Sequence, residues 1–326
     1  MSKLTLSVSP HIRSRLTTGG IMLDVVIALI PALIAGTIVF GLRALVLTAV
    51  CVASCMLAEA AFQLILKKPL TINDLSAVVT GMLLAFNLPV TIPFWQAVLG
   101  SVIAIIVVKQ LFGGLGLNFA NPAITARIVL FISFANTSMT HWVDPTRTFM
   151  SFNWATADMA ASATPLAVLK PGSTGSLPSL MNMLLGIEGG CIGETCALAL
   201  ILGGIYLVAR KVISFHIPVV FVATVFVLSL LVAPEGYSSL EYATYQILSG
   251  GLMIGAIFMA TDYVTSPTTS LGKIIFALGC GIITFAIRIW GSYPEGVSFS
   301  ILFMNLLVPF INKLTPTKPL GGAKAE

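Results

Sequence analysis

Residues 81–89 read GMLLAFNLP and residues 255–267 read GAIFMATDYVTSP. Each is an apolar run that opens at glycine and stops at a polar residue followed by proline. A helix needs about 20 residues to cross ~30 Å of hydrocarbon, so neither run spans by itself. Interrupted helices are tolerated at that depth only where protein or a cavity meets the freed backbone groups. The flanking segments match as well. Gly113, Gly114, Gly116, Asn118, Asn121 and Pro122 follow the helix after the first run; Gly291, Pro294 and Gly296 follow the helix after the second. Lys109 and Arg288 stand just upstream in each case. Glycine and proline are common in membrane helices generally. Their recurrence at paired positions, however, is the mark of inverted repeats with a polar site near the midplane.

The rest of the chain has the same character. Of its 326 residues 57% are hydrophobic and 9% are charged, against about 25% charged in a soluble domain. No water-facing surface can be built from that composition, and the mean hydropathy is +1.01. Ten spans are predicted, at 22–40, 44–66, 75–88, 94–109, 122–136, 195–209, 215–233, 247–261, 273–290 and 297–312. Five lie on each side of one long polar segment. The expected organisation is an N-terminal membrane repeat at 1–136, an extracytoplasmic loop at 137–194 and a C-terminal membrane repeat at 195–326. An odd number of spans per repeat inverts the second copy, so the predicted fold is an all-α polytopic membrane protein of two inverted five-helix repeats. The first span follows a polar stretch with His11, Arg13 and Arg15 and carries no small-residue cleavage site, so it reads as a retained helix.

Lysine and arginine in short loops set orientation. With the N-terminus in the cytoplasm, that side receives Lys3, Arg13, Arg15, Lys67, Lys68, Lys109, Arg210, Lys211, Lys273, Lys313, Lys318 and Lys324. The other side receives Arg43, Arg147, Lys170 and Arg288. Both termini are therefore expected inside and the long loop outside, in a bacterial or archaeal cytoplasmic membrane. The net charge of +5 comes from basic residues scattered singly at helix ends, which argues against nucleic acid as a partner. Five dispersed cysteines form neither a disulfide framework nor a zinc pattern.

Six ionisable residues fall in or at the ends of spans: Asp24, Glu59, Lys109, Arg127, Asp262 and Arg288. A charge in hydrocarbon is costly and normally faces protein, a partner or a cavity. Asp24 and Asp262 are expected at the interface. Glu59 lies deeper, suited to helix pairing or conduction. Lys109 and Arg127 could grip a phosphate or carboxylate, but the simpler expectation is that they snorkel towards water.

The long loop contains DMAASATPL at 158–166. No histidine or acid is spaced to activate Ser162 or Thr164 as a nucleophile. The local reading is a helix entry, with Thr164 as N-cap and Pro165 in the first turn.

The chain also carries SPHIRS at 9–14, KQLFGGLGLNFANPA at 109–123, ATDYVTSP at 260–267 and GSYPEGVSFSILFMN at 291–305. Over nearly its whole length it resembles the D subunit of Rnf electron-transport complexes, a family related to the B subunit of the sodium-pumping NADH:quinone oxidoreductase. It lacks the longer N-terminal extension of the latter. The resemblance implies that the 158–164 motif receives FMN, joined by a flavin transferase through a phosphoester. Carried over by position, Thr164 is the acceptor, Asp158 the motif's acid, Ser162 its small residue and Ala163 its alanine. Met159 stands where the motif has glycine, and Ala161 where it has serine or threonine.

The resemblance further implies one membrane subunit of a redox-driven pump. Electrons would pass between ferredoxin and NAD, coupled to Na+ or H+ translocation. This chain has neither a cysteine run for an iron–sulfur cluster nor a strand-linked dinucleotide glycine motif, so those groups would sit on the other Rnf subunits. A second, noncovalent flavin such as riboflavin near the broken helices is implied by the same analogy. Two other classes describe the spans: a cofactor-free channel or secondary transporter with inverted repeats, and a structural membrane anchor without flavin. The DxxxSAT loop separates them, since a plain transporter has no use for it.

Overall fold

The computed structural model describes residues 17–135, 138–140, 142, 164–170, 177–194, 196–234, 237–291, 293 and 295–316. Among these it is helical, without strands. The first half holds α1 (Thr18–Phe40), α2 (Leu42–Ile65), α3 (Ser76–Phe86), α4 (Phe94–Gln110) and α5 (Pro122–Phe134). Two short helices follow, α6 (Pro165–Val168) and α7 (Leu180–Leu185). The second half holds α8 (Ala197–Ala209), α9 (His216–Leu231), α10 (Ser239–Leu248), α11 (Leu252–Met259), α12 (Ser270–Trp290) and α13 (Val297–Leu314).

Helices α1, α2, α12 and α13 are long and apolar enough to cross a membrane, and α10 with α11 forms a broken span bent by 65°. Among the described residues α3, α4, α5, α8 and α9 are shorter apolar helices. Leu57, Ile132, Leu202, Leu231 and Phe310 are exposed, as expected for side chains that face lipid and not water. The eighth span differs from the predicted 247–261. It begins at Ser239 and breaks at 249–251, because Gly250 adopts a positive φ of 70° that ends α10.

The two halves meet through corresponding helices that run antiparallel. At one end of the α1–α8 pair, Asp24 bonds Tyr206 and Arg210; at the other, Gly36 lies against the Ile192 backbone just before α8. Between them a β-carbon on Gly203 would strike the Ala28 carbonyl, so the glycine permits the close approach. In the α5–α13 pair Arg127 bonds Ser298, and Phe131 packs on Phe299. Further along, Asn305 accepts from Asn121 N at 3.2 Å in the amide orientation its neighbours satisfy. Antiparallel mates are what an inverted second half produces.

The short helices end inside protein, and their terminal groups are met there. The carbonyls of Phe86, which ends α3, and of Leu88 just beyond it accept from Gly193 N (2.9 Å) and Ile192 N (3.3 Å) respectively, both before α8. Asn87 turns its amide back to Leu83 O at 2.7 Å. Asn121 caps α5 through Ala123 N and Ile124 N and donates to Met259 O, the end of α11, at 3.2 Å. One asparagine thus joins the start of α5 to the break that follows α11, while Asn305 links it to α13 and to Thr265 O.

Candidate functional site

The break between α10 and α11 creates a helix C-terminus and a helix N-terminus side by side. Their backbone dipoles present partial negative and partial positive charge respectively, and each needs hydrogen-bond partners. Arg288 of α12 supplies the first set: Nη1 donates to Gln246 O and Oε1, and Nη2 donates to Ser249 O at 3.0 Å. Glu295, in the turn before α13, supplies the second by accepting from Gly251 N at 2.8 Å. The signs are matched to the dipoles.

Glu295 also pairs with Arg127 of α5, which reaches Ser298 and Cys191 as well. Cys191 N donates to Glu194 Oε2 at 3.3 Å. All these groups are buried or nearly so. Five elements of both halves therefore converge on one ionic cluster.

Thr164 lies at this end. Its Oγ accepts from Ala167 N at 3.3 Å, and Pro165 occupies the first turn of α6, so the predicted N-cap is present. Two residues on, Leu166 is buried against Gly250, at a point where a β-carbon would also lie 3.1 Å from Arg288 Nη2 and 3.4 Å from Glu194 Oε1. Lys170 donates to Gly291 O at 2.9 Å, tying the far end of α6 to α12. Asp158, Ser162 and Ala163 lie outside the described residues.

Beside the cluster is a cavity of about 220 Å³. Arg127, Glu295 and Cys191 face it on the polar side, and Phe131, Tyr293 and Phe299 form its aromatic wall. Tyr293 and Phe299 stack at 5.7 Å, and Phe131 meets Tyr293 edge-on at 5.1 Å. An apolar wall with a few convergent polar groups is the usual form of a cofactor or ligand pocket.

A second ionic site lies at the opposite end, within the first half. Glu59 of α2 accepts from Lys109 Nζ (2.9 Å) and Gln110 Nε2 (2.7 Å) through the same oxygen, and Lys109 also donates to Ser76 Oγ at 2.6 Å. Side-chain exposure is 1% for Glu59 and 3% for Lys109. The last turns of α4, from Ile103 to Gln110, are π-helical, a widening that often marks functional positions. Here the extra residue per turn accompanies Lys109 and Gln110 reaching Glu59 together. Lys109 also borders a smaller cavity of about 90 Å³ with Thr80, Asn118, Asn121 and Asp262.

The expectation that Lys109 and Arg127 snorkel is overturned: each turns inward to a buried carboxylate because its Cβ faces another helix and not lipid. Glu59 is a helix-pairing residue, one of the two roles its depth suggests. Asp24 is itself buried but faces an Arg210 side chain that is 58% exposed. Sequence reasoning misses Glu188, Glu194, Glu295 and Gln246. Glu295 falls within GSYPEG, but no spacing rule connects it to Arg127, far away in sequence.

Long and shorter apolar helices, a broken span and buried charge define an all-α polytopic membrane protein. The chain belongs to the NQR2, RnfD, RnfE family, whose model matches residues 5–321. It is 49% identical over 326 residues to the D subunit of the Na(+)-translocating ferredoxin:NAD(+) oxidoreductase complex of Acetobacterium woodii, covering 99% of this chain and 97% of that relative. It is 39% identical to the D subunit of the proton-translocating ferredoxin:NAD(+) oxidoreductase complex of Clostridium ljungdahlii, covering 97% and 96%. Identity to the D subunit of the ion-translocating oxidoreductase complex of Stutzerimonas stutzeri is 38%, covering 92% and 91%.

Proposed function

We propose that this chain is the D-type membrane subunit of an ion-translocating ferredoxin:NAD+ oxidoreductase and carries FMN as a phosphoester on Thr164. The observation that carries the reading is the seating of Thr164. Its hydroxyl heads a short helix whose Leu166 packs on Gly250 at the α10–α11 break, where Arg288 and Glu194 also reach. An ester oxygen keeps a lone pair, so esterification is compatible with the N-cap bond from Ala167 N. The stacked Tyr293–Phe299 pair fits a planar cofactor in shape, with the Arg127–Glu295 ion pair supplying polar contacts at its edge. Flavin, when bound, supplies one- or two-electron transfer, and the protein's part is to hold it and set its potential.

On this reading the chain works with the other subunits of the complex, which supply the NAD and iron–sulfur chemistry, and is matured by a flavin transferase. Segments 1–136 and 195–326 are the two repeats, joined by the 137–194 loop on the outer face, with both termini in the cytoplasm. A second, noncovalent flavin belongs near the broken helices. One relative is named for sodium and another for proton translocation, and on this reading the ion moved is Na+ or H+.

The test is in-gel flavin fluorescence of the subunit coexpressed with its transferase, with Thr164→Val as the variant. Valine keeps the bulk and removes the hydroxyl. A fluorescent wild-type band and a dark variant band at equal membrane abundance are expected; a fluorescent Thr164→Val band sinks the assignment.

A further inference from the structure

Two buried acids at the Thr164 end make no ion pair. Among the described residues the ion pairs are Lys109–Glu59, Arg127–Glu295 and Arg210–Asp24. Glu188 and Glu194, both on the 186–196 loop and both buried, belong to none of them. Glu188 Oε2 meets no hydrogen-bond partner at all. Glu194 Oε2 has the 3.3 Å bond from Cys191 N, and its Oε1 looks towards Gly250, where Leu166 packs.

Among the described residues, the charged and titratable groups facing Glu194 are Arg127 from α5, Arg288 from α12 with Tyr242 of α10 beside it, Glu295 from the turn before α13, Cys191 on the same loop, and Glu188, which itself faces Glu194 alone. The two arginines are already committed, Arg127 to Glu295 and Arg288 to the α10 carbonyls. With every group ionised, the two guanidinium groups offset Glu295 and Glu194, and Glu188 behind Glu194 is left as an uncompensated negative charge. A buried, unpaired carboxylate relieves that by binding a proton. Glu188, with an oxygen that meets no donor, takes the first proton. Arg127, Arg288, Glu295 and Glu194 then balance, and any further negative charge nearby calls for a proton on the acid without an ion pair.

We propose that Glu194 is a proton-binding site, which takes a proton from water when negative charge arrives at the Thr164 loop and returns it when that charge leaves. The proton that forms the O–H bond on Glu194 comes from bulk water and returns there, so the one negative charge that arrives is offset by one positive charge while it stays. The site itself stands on geometry; only the source of the arriving charge rests on the flavin reading. Burial and the neighbouring Glu295 push the Glu194 carboxyl up to about 7. Burial and Glu194 push that of Glu188 up to about 9. Both carboxyls are thus held above the ordinary carboxylate range, Glu188 further than Glu194.

The experiment is difference infrared spectroscopy of the intact, oxidised complex in its membrane, titrated across neutrality in H2O and D2O. A protonated-carboxyl stretch should grow as pH falls, shift in D2O, be lost in Glu194→Gln and persist in Glu188→Gln. Absence of a titrating band in the wild type, or its survival in Glu194→Gln, overturns the site. So does a band that responds to sodium at fixed pH and not to pH itself. If Glu194→Gln does not assemble, Glu194→Asp must move the titration midpoint, and an unmoved midpoint counts against the proposal. The coupling is read separately from the loop flavin's midpoint potential, whose pH slope should flatten in Glu194→Gln. An unchanged slope with the band lost overturns the coupling. If Thr164 bears no flavin, the potential arm disappears while the infrared band still decides whether Glu194 exchanges a proton.

Discussion

The two buried ionic sites are built on different plans. At the Glu59 end one acid meets one lysine, both within the first half, with Gln110 and Ser76 supplying further bonds. At the Thr164 end two arginines and three acids gather from both halves, and two of the acids lack an ion-pair partner. The first arrangement is electrically closed. The second has an acid in surplus, and its arginine and glutamate also hold open a broken helix. Replacing a buried pair by apolar groups is often neutral or stabilising, so neither site is explained by stability alone. The Glu59 site is suited to a fixed tie between α2 and α4, whereas the Thr164 end is suited to a change of charge.

The sharpest way to break this comparison is to remove one member of the closed pair. Lys109→Met strands Glu59 in a dry environment and should cost about 3–5 kcal/mol, measured as loss of assembled complex on thermal challenge in detergent. The double variant Lys109→Met/Glu59→Gln should recover most of that loss. If it recovers none, the two side chains do not act as a closed unit.

Arg127→Met tests the open cluster. It should destabilise by a similar or somewhat smaller amount, but Glu295→Gln should rescue it poorly, because Glu295 also holds Gly251 N. Its cost should shrink at low pH, where the surrounding acids are neutralised. A pH-independent cost would remove the distinction between the two ends.

A smaller effect is expected in the wild type. Glu188 and Glu194 bind protons more tightly when folded than when unfolded, so their contribution is fully present below the ordinary carboxylate value near 4.5. It is lost as pH rises through about 7 and about 9. Apparent unfolding temperature at a fixed scan rate should therefore decline over that window, and Glu188→Gln should remove its upper part. A flat profile would argue that water reaches both acids. The smallest effect belongs to Arg210→Gln. That arginine is solvent-exposed in its contact with Asp24, and exposed pairs contribute little, so the unfolding temperature should not move.

Much of the scaffold is legible in the sequence because hydrocarbon imposes so simple a rule. Apolar helices throughout the described residues and the short third helix follow from composition and from Gly/Pro placement. The N-cap at Thr164 and the turn at Pro165 follow from local chemistry and are present. The eighth span is harder to read because α10, with Glu241 and two tyrosines, is the least apolar of the membrane helices, and its break at Gly250 looks like a span's beginning. Lys109 and Arg127 mislead for another reason. Snorkelling is the default for a basic residue on a lipid-facing surface, and a sequence does not show which face of α4 or α5 meets another helix.

What the sequence determined by itself was therefore the solvent of the protein and the local grammar of its helices: membrane residence, apolar helices, breaks and caps. These depend on properties of neighbouring residues and on the cost of unpaired backbone in hydrocarbon. What only the tertiary structure decided was which charges meet. Arg127 finds Glu295, Arg288 finds the α10 carbonyls, and Glu194 is left between them because antiparallel halves bring residues distant in sequence to one break. Electrostatic energy depends on distance and burial, and neither is written in the order of the residues.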